Sequence, residues 1–365
     1  MKQVLLILLL LVACTTGQAS NIAPTFFIGG LFALTGDGAS WGQDELNAVQ
    51  LAINEHNLFG KQRVELIAED TQTKPSVSLT SAVKLIEIDN VPAIIGATWD
   101  ESTAVVAPIS ERSKTVLIGP SSSGVIEINQ NYSYYFSTTY NDADAVRTLL
   151  EHMKNQSNKD FVLVFNKNLW ASFVADLIRK EAERTNIQVI EEFELSDYTT
   201  DFRTVLLKIK QKSPDALFFI FTTDATIQPF LKEAGELGLH VPMYSASMTE
   251  HYTLANWYSQ YSGEIYHPFP KTTTKVENFK KNYERVFGQK PTSPSAVTAY
   301  DATRLVLGAI DSGARTGDEI RLWLEKADMQ GTVVDRLQFD SKGFIFTNNA
   351  YSVRTIINNT FVDSE

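Results

Sequence analysis

The residues with types and spacing suited to chemistry are few, and they are poorly assembled for catalysis. Gly119-Pro120-Ser121-Ser122-Ser123-Gly124 is a hydroxyl-rich loop. It lacks the Gly-x-Ser-x-Gly spacing of a nucleophile elbow and the lysine of a phosphate loop. Its ordinary alternative is a turn followed by a helix cap. The histidines His56, His152, His240, His251 and His267 include no His-Glu-x-x-His pair, so a serine nucleophile would need one delivered by the fold. Gly36-Asp37-Gly38-Ala39-Ser40-Trp41 nearly matches a dinucleotide fingerprint. Trp41 stands where the third glycine should admit close helix-to-strand packing. Cys14 is the single cysteine, which excludes an internal disulfide and any four-cysteine metal site. No catalytic residue, metal site or cofactor is expected.

Composition narrows the classes further. The 365 residues carry 43 acidic and 32 basic side chains, a net charge of −11, with 44% hydrophobic and 21% charged residues. That is the balance of a soluble globular protein, long enough for two domains. Nucleic acid is not expected as a partner, because phosphate binding needs clustered Lys and Arg and none is clustered here. Asn131-Tyr132-Ser133, Asn155-Gln156-Ser157 and Asn358-Asn359-Thr360 fit the N-glycosylation pattern as chance matches.

The amino terminus has its own logic. Met1-Lys2 precedes an apolar run from Val4 to Val12, far short of the roughly 20 residues that cross a bilayer. A positive start, a short apolar core and small residues form an export signal. Leu11-Val12-Ala13-Cys14 resembles the lipobox of bacterial lipoproteins. The resemblance implies a signal peptide over residues 1–13, cleavage before Cys14, and a diacylglyceryl thioether on its sulfur. Residues 14–23 would then be a lipidated tether, holding the protein at a membrane without a spanning helix.

Beyond the tether, short apolar strands alternate with amphipathic helices. Strands are expected at Phe26 to Leu34, Val64 to Ala68, Val91 to Gly96 and Thr115 to Ile118. Helices are expected at Trp41 to Asn57, Ser76 to Ile88 and Ser102 to Ser113. A second run follows: helices at Asp142 to Lys154, Trp170 to Thr185, Asp201 to Lys212 and Ile227 to Leu237. Its strands fall at Phe161 to Phe165, Gln188 to Phe193, Ala216 to Phe221 and Pro242 to Ser245. Further helices are expected at Val276 to Phe287 and Ala299 to Ser312, with closing strands at Leu337 to Phe346 and Tyr351 to Ile357. Alternation of this kind builds parallel sheets covered on both faces. The expected fold class is therefore α/β, with two doubly wound parallel-sheet lobes. In such sheets ligands sit beyond the carboxyl ends of strands. This directs attention to loops at Thr35 to Ser40, Ala97 to Glu101, Gly119 to Gly124, Asn166 to Leu169, Thr222 to Thr226 and Ala246 to Glu250.

Several segments, taken in order, resemble the branched-chain amino-acid (Leu/Ile/Val)-binding proteins of ABC importers, on the type I periplasmic binding fold. They are Phe32 to Gly36 with Trp41-Gly42, Asn47 to Asn54, Val64 to Asp70, Val91 to Gly96, and Ala107-Pro108-Ile109. Ile118 to Ser121, Tyr300-Asp301-Ala302 and Phe339 to Gly343 complete the match. The resemblance implies a Venus-flytrap: lobe 1 from residues 24–138 plus 268–332, lobe 2 from 139–267 plus 333–365. Three hinge crossings would lie near Ser137 to Thr139, Tyr266 to Phe269 and Gly331 to Asp335. It implies no enzyme, but an exported, monomeric cell-envelope lipoprotein, periplasm-facing or on the outer face of the plasma membrane. Such a receptor captures a small polar ligand and presents it to ABC permease subunits. A ligand-sensing receptor lipoprotein on the same fold is the alternative function, and an exported hydrolase using Ser121 to Ser123 a third.

Carried over by position, the resemblance implies that Trp41 lids the ligand; its ordinary alternative is a half-buried packing tryptophan. Ser121 and Ser123 would supply hydroxyls, Trp170 an aromatic wall, and Thr223 a contact from the second lobe. Two positions depart from the pattern. Asp100 stands where a small hydroxyl residue commonly receives an α-carboxylate, and Ser247 where an acid receives the α-ammonium. Two like charges about 4 Å apart repel by roughly 4 kcal/mol at an effective dielectric near 20, which disfavours an amino acid in the usual pose. Three readings stay open: Asp100 caps the following helix, Ser102 supplies the hydroxyl instead, or Asp100 recognises an amine, amide or hydroxyl-bearing ligand. In the last case Trp41, Trp99 and Trp170 could stack on a cation.

Overall fold

A computed structural model describes residues 25–122, 132–246, 250, 252–261, 263–347 and 350–364. The expected export signal over 1–13, Cys14 and the expected tether over 14–23 lie outside the described residues, so the lipobox expectation is carried by sequence alone.

Two sheets organise the chain. The first holds β1 (Phe26–Phe32), β2 (Val64–Asp70), β3 (Ala93–Gly96), β4 (Val116–Gly119) and β5 (Tyr135–Ser137), all parallel in the order β2-β1-β3-β4-β5. The second holds β6 (Asp160–Asn166), β7 (Gln188–Leu195), β8 (Ala216–Ile220), β9 (Met243–Ser245) and β10 (Ile265–Pro270), also parallel. Met329–Gln330 (β11) and Arg336–Leu337 (β12) form a separate short ladder. β13 (Tyr351–Ile357) and β14 (Thr360–Asp363) then close the second sheet antiparallel beside β10.

Strand composition explains why each sheet is covered twice. Side chains alternate between faces with period two. Ile28, Phe32, Ala93, Ile95, Val116 and Ile118 therefore join one core, while Leu31, Ile94 and Leu117 join the other. The first core packs against helices α1 (Ala39–Phe59), α9 (Thr274–Phe287), α10 (Ser295–Asp311) and α11 (Gly317–Leu324). The second packs against α2 (Pro75–Val83) and α3 (Asp100–Ser113). In the second sheet Phe161, Leu163 and Phe165 face α4 (Asp142–Asn155) and α5 (Leu169–Thr185). Val162 and Val164 face α6 (Arg203–Lys212), α7 (Asp224–Glu236) and α8 (Tyr252–Gln260).

The doubly wound expectation holds, with local differences. The helix expected to run to Ile88 turns π-helical over Lys84–Ile88. Leu337 to Phe346 is not one strand: after β12 it makes only isolated bridges, Phe339 with Ile345 and Phe344 with Ser137. Ile345 and Val333 pack into the first lobe's core. The third passage between sheets therefore falls after Ile345, later than Gly331 to Asp335, because apolar side chains hold 333–345 against the first sheet. Tyr266 to Phe269 lies inside β10, so the second passage follows Pro270.

Gly42 meets the requirement that Trp41 fails. A Cβ there would stand 2.1 Å from the Ala33 carbonyl oxygen, so α1 approaches the end of β1 one residue later than the dinucleotide fingerprint places its third glycine.

Candidate functional site

The carboxyl ends of both sheets converge on one cleft of about 510 Å³. The first lobe supplies Asp37 after β1, Thr73 and Pro75 after β2, and Thr98, Trp99, Glu101 and Ser102 after β3. The second supplies Asn168 after β6, Asp197 to Thr200 after β7, and Thr222, Thr223, Ala225 and Thr226 after β8. Hydroxyls dominate the lining, as suits hydrogen bonding to a polar solute.

These loops are held from behind. Thr98 Oγ1 accepts from the Ala33 amide at 3.1 Å and donates to Glu45 Oε2 at 2.6 Å, joining the ends of β1 and β3 to α1. Glu45 is fully buried. Burial pushes its carboxyl up to about 7, opposed by the Ser121, Thr98 and Ser295 hydroxyls around it. Only Thr98 meets hydrogen-bond geometry, leaving Glu45 Oε1 without a partner among the described residues. Neighbouring Asp44 accepts from the Tyr283 hydroxyl, the Thr292 amide and hydroxyl, and the Ser293 amide, all within 3.0 Å. That carboxylate ties the loop before α10 to α1.

Trp99 occupies a φ of 70° and ψ of 160° immediately before α3, backbone space nearly reserved for glycine and costly by about 1–3 kcal/mol. Its amide donates to Ser121 Oγ at 3.2 Å, and its ring meets Trp41 edge-to-face at 6.3 Å. On the second lobe, Asn168 caps α5 by accepting from the Ala171 amide at 2.8 Å. Its Nδ2 donates to Asp197 at 2.8 Å, so one side chain fixes both a helix start and a cleft carboxylate.

Of the residues singled out in the sequence, Ser102 and Thr223 line the cleft. Ser102 is buried and accepts from Ser78 Oγ at 2.9 Å, and Thr223 pairs with Thr226 at 3.1 Å. Trp41, Asp100, Ser121 and Trp170 are not among the lining residues. Trp41 is half-buried, with its ring edge-to-face against Trp99. Ser121 holds the Trp99 backbone instead of facing the cleft. Trp170 turns to Asp142, donating from Nε1 at 2.9 Å. Asp100 is buried in the first turn of α3 and accepts from Ser122 Oγ at 2.9 Å, so it is neither the N-cap nor a cleft group. Among the described residues neither Ser121 nor Ser122 is hydrogen-bonded to a histidine. Ser123 and Ser247 lie outside the described residues.

The sequence reading missed the contributions after β2 and β7. Both obey the same rule of carboxyl-end loops, and Ser196-Asp197-Tyr198-Thr199-Thr200 carries the hydroxyl-rich signal that marked the others.

Residues 25–358 match the periplasmic binding protein family. The chain belongs to that family. Family membership makes it one of a group of exported, periplasmic proteins, and among the described residues no helix is long and apolar enough to cross a membrane. A Leu/Ile/Val-binding protein of Citrobacter freundii is 22% identical over 346 residues, covering 92% of each chain. The leucine-binding protein of Thermotoga maritima superposes with a TM-score of 0.83 at 18% identity, over 93% of this chain and 98% of that one. An ABC-transporter solute-binding protein of R. palustris, in complex with 4-hydroxybenzoate, gives 0.81 at 19% identity, over 94% and 96%. At these identities the solved structures establish a common α/β fold with parallel-dominated sheets, the type I periplasmic binding architecture.

Proposed function

We propose that this periplasmic binding protein is a lipid-anchored receptor that captures a small polar solute and delivers it to an ABC importer. The solute is an amino acid or a related amine or amide. The observation that carries this reading is the cleft, lined from the carboxyl ends of both sheets by Thr98, Ser102, Asn168, Thr222 and Thr223. Closing the lobes about the passages between the sheets would trap the solute and bury those hydroxyls around it. The receptor makes and breaks no covalent bond.

In this reading residues 25–137 with 274–345 form one jaw and 142–270 with 351–364 the other, with Ala145 and Tyr351 of the second also joining the first jaw's core. Cys14 anchors the assembly through its diacylglyceryl thioether, and residues 14–23 give the clamp reach from the membrane. Thermal-shift screening of the purified protein against a solute library tests the reading. At least one small polar solute should raise the melting temperature in a saturable way, and a library that leaves it unchanged throughout would overturn the receptor assignment.

A further inference from the structure

The charges facing the cleft are all of one sign. Asp37 and Glu101 line it from the first lobe and Asp197 from the second, and no Lys, Arg or His is among its described lining residues. Lys74 and Lys167 flank the lining residues Thr73 and Asn168 in sequence, yet neither lines the cleft. Asp37 is exposed, and neither it nor Glu101 has an ion-pair or hydrogen-bond partner among the described residues. Asp197 is held by the neutral amide of Asn168 at 2.8 Å, which positions the carboxylate without cancelling its charge. Two aromatic faces, Trp99 from one lobe and Tyr198 from the other, share the cleft.

Such a site is hostile to a carboxylate ligand, which would meet three like charges and no compensating cation. It also sets the lobes against each other, because closure brings Asp197 toward Asp37 and Glu101. A cation between the jaws reverses that term. Binding and closure then reinforce one another through the same charges, as differential affinity for the closed form requires. The two rings add cation–π attraction. A cavity of about 510 Å³ is far larger than a bare metal ion, and among the described residues no three His, Cys, Asp or Glu side chains gather closely enough to hold one.

We propose that the cleft takes an organic amine that bears no carboxylate, its positive charges held between Asp37 and Glu101 on one lobe and Asp197 on the other. This rests on the receptor reading and names its solute class: an aliphatic diamine or polyamine, not an α-amino acid or an aromatic acid.

Isothermal titration calorimetry of the full-length protein in detergent tests it, with putrescine, spermidine, leucine, 4-hydroxybenzoate and calcium chloride as separate titrants. Putrescine or spermidine should bind one to one, and rising salt should weaken the binding. Asp37→Asn and Asp197→Asn should each lower that affinity at least about tenfold, with the unliganded melting temperature unchanged for Asp37→Asn. Saturable binding of leucine or 4-hydroxybenzoate with silence from both amines would overturn the cation assignment and leave the receptor reading standing. Binding of calcium alone would overturn the organic ligand. Silence from all five would overturn the cation assignment and count against the receptor reading as well. Amine binding that is indifferent to both substitutions would overturn the bridging geometry.

Discussion

The hydroxyl of Ser122, in the loop after β4, donates to the carboxylate of Asp100 in the first turn of α3 at 2.9 Å, and both residues are buried. By position Asp100 stands where a ligand group would be received, but its carboxylate is occupied inside the first lobe. Removing that donor takes one hydrogen bond from a buried carboxylate, so Ser122→Ala should destabilise the fold by about 1–3 kcal/mol, read as a lower urea midpoint. Solute affinity should hardly change. A variant of full stability that no longer binds would instead return Asp100 to the ligand.

Glu45 gives the stability a pH dependence of defined sign. Burial raises its carboxyl from 4.5 to about 7, so the folded protein holds a proton that the unfolded chain releases. That contribution is complete below about 4.5 and is lost as pH rises through about 7. Burial raises the Glu250 carboxyl to about 7 as well, against the pull of Arg354 and Lys280. Urea midpoints should therefore fall between about pH 5 and pH 8, and Glu45→Gln should flatten part of the decline. A midpoint that rises over this range in the wild type would contradict the assignment.

Trp99 is the tryptophan of the described cleft lining, with Trp41 edge-to-face behind it. Ligand binding should change the intrinsic fluorescence chiefly through this pair. Trp99→Phe should abolish most of the change, while Trp323→Phe, at a tryptophan whose indole bonds Ser312 at the carboxyl end of α10 and which does not line the cleft, should preserve it. Equal responses in the two variants would place the ligand elsewhere.

Asn168 joins stability to recognition. Asn168→Ala removes the cap of α5 at a cost of about 1 kcal/mol and releases Asp197, so both the melting temperature and the affinity should drop. Asn168→Ser keeps a capping oxygen but cannot hold Asp197 in the same way. Stability should recover in that variant while affinity stays low.

Replacing residues 1–14 with a cleavable export signal that lacks a lipobox should move the protein from the membrane fraction to the soluble fraction on cell fractionation, with its fold and ligand affinity unchanged. Continued membrane association of that variant would argue against the thioether anchor.

Most of the architecture was legible because it rests on periodicity. The unbroken apolar runs Phe161 to Phe165 and Ala216 to Phe221 put apolar side chains on both faces of the sheet, and covering both faces requires the helices found there. β5, α8 and α11 escaped notice because they are short, and a short element leaves little periodicity to read. Tyr135 to Ser137, for example, is fixed by pairing with β4 and with Gly343 to Ile345. In the site, loop position was legible and side-chain direction was not. Asp100, Ser121 and Trp170 sit at the expected ends of elements, yet local partners turn each of them away: Ser122, the Trp99 amide and Asp142. Asp197 and Glu101, adjacent to residues of obvious interest, face the cleft instead.

The central claim is that the two lobes trap one small solute between them. Native mass spectrometry of the protein, exposed to a cell extract and repurified without denaturation, tests this most directly. The account predicts a one-to-one complex with a single small molecule, carrying basic nitrogen and released when the chain is unfolded. A spectrum showing only the bare chain would contradict it.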